Sequence, residues 1–194
     1  MGFFFLLVLA YLIGAIPTGV ILTKLTGEED IRTIGSGNIG ATNVYRTAGR
    51  KMGLLTLAGD CLKGILPLLI ALIFGFHGTQ LAVVGLFALV GHCYPVYLGF
   101  KGGKGVATAL GVMLIISPGS VLLVLSLFLV VLGKWRYISL ASITCAGVIP
   151  YLVLALERSM MIFFVTFCIA ALVIYRHKEN IDRLLAGAEN KFSL

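Results

Sequence analysis

The sequence predicts an all-α integral membrane protein with seven transmembrane helices, the N-terminus outside and the C-terminus cytoplasmic. Three observations carry this. Hydrophobic residues make up 59% of the 194, and the mean hydropathy is +1.06. Only 12% are charged, about half the share of a soluble domain. All of the 15 basic residues but Lys63 fall outside the long apolar runs. A soluble fold of this size has no interior large enough for so much apolar surface, so lipid is the solvent for most of the chain. The length fits one membrane domain and no separate soluble one. The net charge of +7 does not point to nucleic acid, because the basic residues do not gather on one face. They read as topology determinants, with phosphate binding as a second use.

Apolar runs stand at about 2–23, 52–76, 79–98, 105–133, 137–156 and 159–175. Most match the roughly 20 residues that a bilayer requires. The run from Gly2 lacks a basic leader and a small-residue cleavage site, so it reads as the first span rather than a signal peptide. The fourth run is long and holds Ser117-Pro118-Gly119 near its middle, and charge decides how to read it. With the loop of Lys24, Arg32, Arg46, Arg50 and Lys51 placed inside, a single fourth span would strand six Lys/Arg outside against eight inside. A reversal at Pro118-Gly119 puts thirteen inside and only Arg158 outside, with Lys63 inside a span. The expected passes are therefore 105–116 and 119–133, the first too short to cross alone at about 18 Å, or else a re-entrant hairpin. Trp135, Tyr137, Tyr97 and Tyr175 fall near span boundaries, as an aromatic belt would.

This topology puts three polar segments on the cytoplasmic face, at 35–46, 99–108 and 177–191. The first runs Gly35-Ser36-Gly37-Asn38-Ile39-Gly40-Ala41-Thr42-Asn43 and is followed by Arg46. It matches G-x-G-x-x-G in letters, but no strand is expected before it and no βαβ unit around it, which the dinucleotide fingerprint requires. The second, Phe100-Lys101-Gly102-Gly103-Lys104-Gly105, resembles a P-loop but has Gly105 where Ser or Thr should follow the lysine. The physics beneath both patterns remains. Successive glycines let backbone N–H groups converge on an anion, and a neighbouring Lys or Arg adds charge. For either segment alone, tight turns and the inside rule explain the residues as well; two such segments on one face favour a site. Arg46, Lys101, Lys104 and the amides of Gly102 and Gly103 are the candidate phosphate holders. Ser36, Asn38 and Asn180 are candidates to orient an acceptor or polarise a carbonyl, and Gly40 and Asn43 complete the first binding segment.

The third segment supplies His177, whose ordinary pKa of about 6.5 suits general-base work. Asn180 at i+3 faces the same way on a continuing helix. His177 and Asp182 also spell H-x-x-x-x-D, but positions five apart lie about 140° around a helix, a poor arrangement for a dyad. Asp60 and Lys63, about two turns inside the second span, can neutralise each other at i, i+3, and read equally as a polar cavity wall or as an internal pair fixing helix packing. The four cysteines lie in apolar stretches without C-x-x-C spacing and read as packing. No metal or cofactor is implied.

Three stretches, S-G-N-I-G-A-T-N-V-Y-R (36–46), G-H-C-Y-P-V-Y-L-G-F-K-G-G-K-G-V-A-T (91–108) and H-K-E-N-I-D-R-L-L-A-G-A-E-N-K (177–191), resemble the motifs of the PlsY-type glycerol-3-phosphate acyltransferases of bacteria. D-C-L-K-G at 60–64 is also similar to that family. The resemblance spans essentially the whole chain, in order. It implies transfer of a fatty acyl group from acyl-phosphate, not acyl-CoA, to the 1-hydroxyl of sn-glycerol 3-phosphate. The products would be lysophosphatidate and phosphate, in the first committed step of phospholipid synthesis. It further implies a multi-pass protein of the bacterial cytoplasmic (inner) membrane with its active site facing the cytoplasm. It marks Ser36 and Arg46 as important, links the glycines of the second motif to glycerol-3-phosphate binding, and marks His177 and Asn180 as important. A small transporter of a phosphorylated solute is the alternative. Against it, the polar motifs sit at span ends rather than at the bilayer midplane, and no two-half repeat is visible. The sequence does not fix an oligomeric state.

Overall fold

A computed structural model describes residues 2–192 and groups the chain into two compact units, Met1–Ile115 and Ile116–Leu194. Every regular element among the described residues is helical.

In the first unit, α1 (Phe3–Gly14) and α2 (Thr18–Leu25) are bent 41° to each other. The run expected as one span over 2–23 is therefore broken. Pro17 is the cause: it donates no N–H, and its ring clashes with a continuing helix. The carbonyl of Ile16 at the break accepts from the Thr18 amide at 3.0 Å and from Lys63 Nζ at 2.8 Å. Next, α3 covers Ala41–Ile73 but is kinked at Gly49, whose φ of 87° leaves the helical region. Its first arm carries the end of the first polar motif, and its second arm matches the span expected from 52. The arms fold tightly together because Gly53 has no side chain to collide with Tyr45.

Helix α4 (Gly78–Cys93) stops before Pro95, and the expected continuation to residue 98 becomes a short 3-10 turn, Val96–Leu98. Helix α5 (Val106–Ile116) is apolar but has only 11 residues, about 16 Å at the α-helical rise. Close backbone approach holds this unit together. A Cβ at Gly14 would overlap the Ala88 carbonyl, and one at Gly91 the Tyr11 carbonyl, so α1 and α4 meet along their backbones. The Tyr11 hydroxyl donates to the Tyr94 carbonyl at 2.8 Å at one end of that contact. Gly64 and Gly111 do the same for α3 and α5.

The second unit holds α6 (Pro118–Trp135), α7 (Ile138–Glu157), α8 (Met160–Arg176) and α9 (Lys178–Leu185). Pro118 stands at the first position of α6, where the missing N–H costs no hydrogen bond. α7 packs against both α6 and α8, and α9 leaves α8 at 57° and lies on α7 and α8. Large apolar side chains such as Leu122, Leu129 and Val130 remain mostly exposed, as lipid-facing residues do. Among the described residues, four helices are long and apolar enough to cross a bilayer, or up to six if each bent pair counts as one span.

Candidate active site

The first polar motif is a loop folded around the side chain of Asn43. Its Oδ1 accepts from the Ser36 amide at 2.9 Å, and its Nδ2 donates to the carbonyls of Ile31 (2.9 Å) and Ile34 (3.2 Å). Asn43 is buried, and Gly35, at φ 62°, lies so close to its Oδ1 that a Cβ would overlap it. Asn38 turns the chain into α3, its Oδ1 accepting from the Gly40 amide at 2.9 Å. Ser36 stays exposed on the outside of this loop, and Arg46 is exposed one turn into α3. Ile31, Ile39 and Val44 form a small buried core beneath, and Leu98 from the turn after α4 packs against it. That contact brings the second motif beside the first.

The second motif is strapped to the end of α4. Phe100 takes a left-handed conformation at φ 65°, uncommon for a residue with a side chain, and its amide bonds to the Pro95 carbonyl at 2.9 Å. The Gly103 amide donates to the His92 carbonyl at 3.2 Å. Gly102 lies over the His92 and Cys93 carbonyls, and Gly103 lies against the His92 ring, with no room for a Cβ at either. Lys101 is exposed and Lys104 half-buried. Gly105, at φ 81°, then turns the chain into α5, whose first-turn amides have no acceptor within the helix. The segment thus brings lysines together with the first-turn amides of α5, as holding a phosphate requires, but the Gly103 amide expected to share that role is bonded to the His92 carbonyl instead. Gly103→Ala is expected to push the segment off the His92 ring, which is buried. Activity should fall more than tenfold while the thermal midpoint moves by only a few degrees.

In the second unit the third motif surrounds a buried carboxylate that the sequence did not single out. Glu189 accepts from Ser139 Oγ at 2.7 Å and Asn180 Nδ2 at 2.7 Å through Oε1, and from Arg183 Nε at 2.8 Å through Oε2. Asn180 is 6% exposed and His177 3%, so neither is a side chain snorkelling at the surface. His177 Nδ1 lies 2.7 Å from the Val173 carbonyl. A carbonyl only accepts, so Nδ1 carries the proton and Nε2 is the basic nitrogen of the neutral ring. The signal for Glu189 was present as the one acidic residue in the basic tail after 183, but its partner Ser139 is 50 residues away.

Burial alone would raise the Glu189 carboxyl, but the bonds from Ser139, Asn180 and Arg183 outweigh it and hold the group below its ordinary range. A carboxylate whose pKa is depressed by folding stabilises the fold above its unfolded value, about 4.3, and loses that contribution as the pH falls through the folded value. The tail should therefore stay docked at neutral pH and loosen in acid. Protection factors at residues 183–190, with the intrinsic fall of exchange toward acid divided out, should drop between pH 7 and 3, and much less so in Glu189→Gln.

The family model for glycerol-3-phosphate acyltransferase matches residues 4–187. A glycerol-3-phosphate acyltransferase of Syntrophotalea carbinolica is 56% identical over 192 residues, covering 98% of each chain. One from Aquifex aeolicus is 50% identical over 193 residues, covering 97% of this chain and 98% of the relative. Among solved structures, PlsY (YgiH), an integral membrane glycerol 3-phosphate acyltransferase in its glycerol 3-phosphate form, superposes with a TM-score of 0.93. It is 46% identical, with 98% of this chain and 96% of that one covered. The lysophosphatidic acid form of the same protein superposes at 0.91. On the match along nearly its whole length, this chain belongs to the glycerol-3-phosphate acyltransferase family.

Proposed function

We propose that this protein transfers a fatty acyl group from acyl-phosphate to the 1-hydroxyl of sn-glycerol 3-phosphate, giving lysophosphatidate and inorganic phosphate. The observation that carries the reading is the packing of Leu98 beneath the first motif, which gathers two glycine-and-base segments at one place. Two phosphate-bearing substrates call for two such segments. Arg46, Lys101, Lys104 and the Gly102 amide hold the phosphates, Gly103 shapes their segment because its own amide is bonded to the His92 carbonyl, Ser36 and Asn38 orient the acceptor, and Gly40 and Asn43 shape the loop that presents them. Asn43 serves this role from behind the loop, because its amide is fully engaged with the backbone.

In the reaction the 1-hydroxyl oxygen bonds to the acyl carbonyl carbon, the bond from that carbon to the phosphate oxygen breaks, and phosphate leaves with the electron pair. A mixed anhydride has a good leaving group near neutral pH, so one direct attack suffices without an acyl-enzyme. Orientation and charge stabilisation supply most of the acceleration. His177 Nε2 receives the hydroxyl proton, in a ring oriented by Val173, while Asn180 is fixed by Glu189. The product is a lipid, and a site at the membrane surface hands it to the bilayer.

The proposed topology has seven passes, with α5 crossing as the short fourth and the three motifs on the cytoplasmic side of a bacterial inner membrane. Thiol labelling of single cysteines placed at positions 28, 77 and 158 tests it: 28 should be shielded in intact cells, and 77 and 158 should react.

The function is tested with purified protein, sn-glycerol 3-phosphate and palmitoyl-phosphate, following phosphate and lysophosphatidate, with palmitoyl-CoA as the parallel arm. Equal amounts of both products from the first arm alone support the donor and acceptor together. Activity with the thioester alone overturns the donor. Silence in both arms from folded protein favours transport of a phosphorylated solute.

A further inference from the structure

Asp60, Lys63 and His92 form a buried polar cluster that the reaction does not itself require. They are 2%, 4% and 3% exposed, in a part of the fold otherwise built from apolar helices. Asp60 Oδ1 lies 2.9 Å from Lys63 Nζ and 3.8 Å from His92 Nδ1. Lys63 Nζ also donates to the Ile16 carbonyl at the break between α1 and α2. A buried ion pair seldom returns its desolvation cost, so its presence in a membrane helix argues for fixing one arrangement rather than for stability alone. The cluster ends at the second motif: the Gly103 amide bonds to the His92 carbonyl, and the α-carbon of Gly103 rests on the His92 ring.

From this geometry we infer that Asp60 and His92 are positioning residues for the phosphate-holding segment Lys101–Gly105, with Lys63 anchoring Asp60 to the break in the first span. The chain runs by hydrogen bond and ion pair from the Ile16 carbonyl through Lys63 to Asp60, then by a 3.8 Å approach, longer than a hydrogen bond, to the His92 ring, and from there to Gly103. Its effect is to keep the Gly103 amide on the His92 carbonyl and so hold Lys101, Gly102 and Lys104 in one arrangement, which a phosphate meets already formed. The role as a glycerol-3-phosphate segment rests on the function proposed above; the positioning of the segment does not.

Two variants of the full-length protein in detergent test this. His92→Phe keeps a ring over Gly103 and leaves the Asp60–Lys63 pair intact, while Asp60→Asn keeps the size and removes the charge. Each is read by thermal midpoint, by the rate of tryptic cleavage at Lys101 and Lys104, and by KM and kcat for glycerol 3-phosphate. The expected result for His92→Phe is at least fivefold faster cleavage and a KM raised about tenfold, with kcat changed less than threefold and the thermal midpoint within a few degrees. If Asp60→Asn does not fold, His92→Phe still decides. Unchanged cleavage in folded His92→Phe overturns the positioning role. Faster cleavage with an unchanged KM, in an enzyme whose wild type turns over, supports the positioning and instead removes Lys101–Gly105 from glycerol-3-phosphate binding. A fallen thermal midpoint with cleavage and KM as in wild type reduces the cluster to packing and overturns the inference.

Discussion

Replacing His177 with alanine is expected to lower turnover at saturating substrates by about 10²-fold or more, within the range a positioned base contributes. The side chain is buried and its ring is oriented through Nδ1 to the Val173 carbonyl, so the basic nitrogen is Nε2. That is the arrangement of a group that takes a proton rather than one that only carries charge. The measurement is kcat from phosphate release, with KM for both substrates in the same experiment. His177→Gln retains a hydrogen-bonding group but has no basic nitrogen, and it should restore binding without restoring kcat. If both variants turned over within a few-fold of wild type, the proton would have to go to a phosphate oxygen of the substrate, and His177 would be a positioning residue.

Arg46→Ala is expected to raise KM for one of the two phosphate-bearing substrates by about 10- to 100-fold, the equivalent of one charge-assisted hydrogen bond at roughly 1.5–3 kcal/mol. The change in kcat should be smaller where that substrate is glycerol 3-phosphate, whose phosphate does not react and is held equally in the ground and transition states, and comparable where it is acyl-phosphate, whose phosphate leaves with the electron pair. Arg46 is exposed on the first arm of α3, held in place by the kink at Gly49 and the loop that Asn43 organises. Arg46→Lys should recover only part of the loss, since an ammonium supplies the charge but not the planar fork. An unchanged KM for both substrates would take Arg46 out of phosphate binding.

The all-helical build and the alternation of apolar runs with polar segments were legible in the sequence, although α3 begins at Ala41 rather than at 52 and α4 ends at Cys93 rather than at 98. The reason is that lipid enforces long apolar runs and internal hydrogen bonding, so hydropathy and breakers report directly on structure. The end of α5 and the start of α6 at Ser117-Pro118 followed from the same logic. The break at Pro17 did not, because the surrounding residues are apolar enough to continue a span, and Lys63, which covers the opened Ile16 carbonyl, is 47 residues away.

Within the site, the sequence by itself determined which residue types are present and in which segments: glycines with bases at 35–46 and 101–105, and a histidine with an asparagine at 177 and 180. Composition and local spacing suffice for that. Only the tertiary structure decided which of them face outward and which support from behind. Ser36 and Arg46 are exposed, whereas Asn43, three residues from Arg46, is wholly engaged in folding the loop. Glu189 orients Asn180 together with Ser139, and His92 supports Gly103 while its Nδ1 lies 3.8 Å from Asp60. These contacts join residues far apart in the chain. Their partners are chosen by close helix packing at glycines and by the need of each buried polar group for a hydrogen bond, neither of which local periodicity encodes.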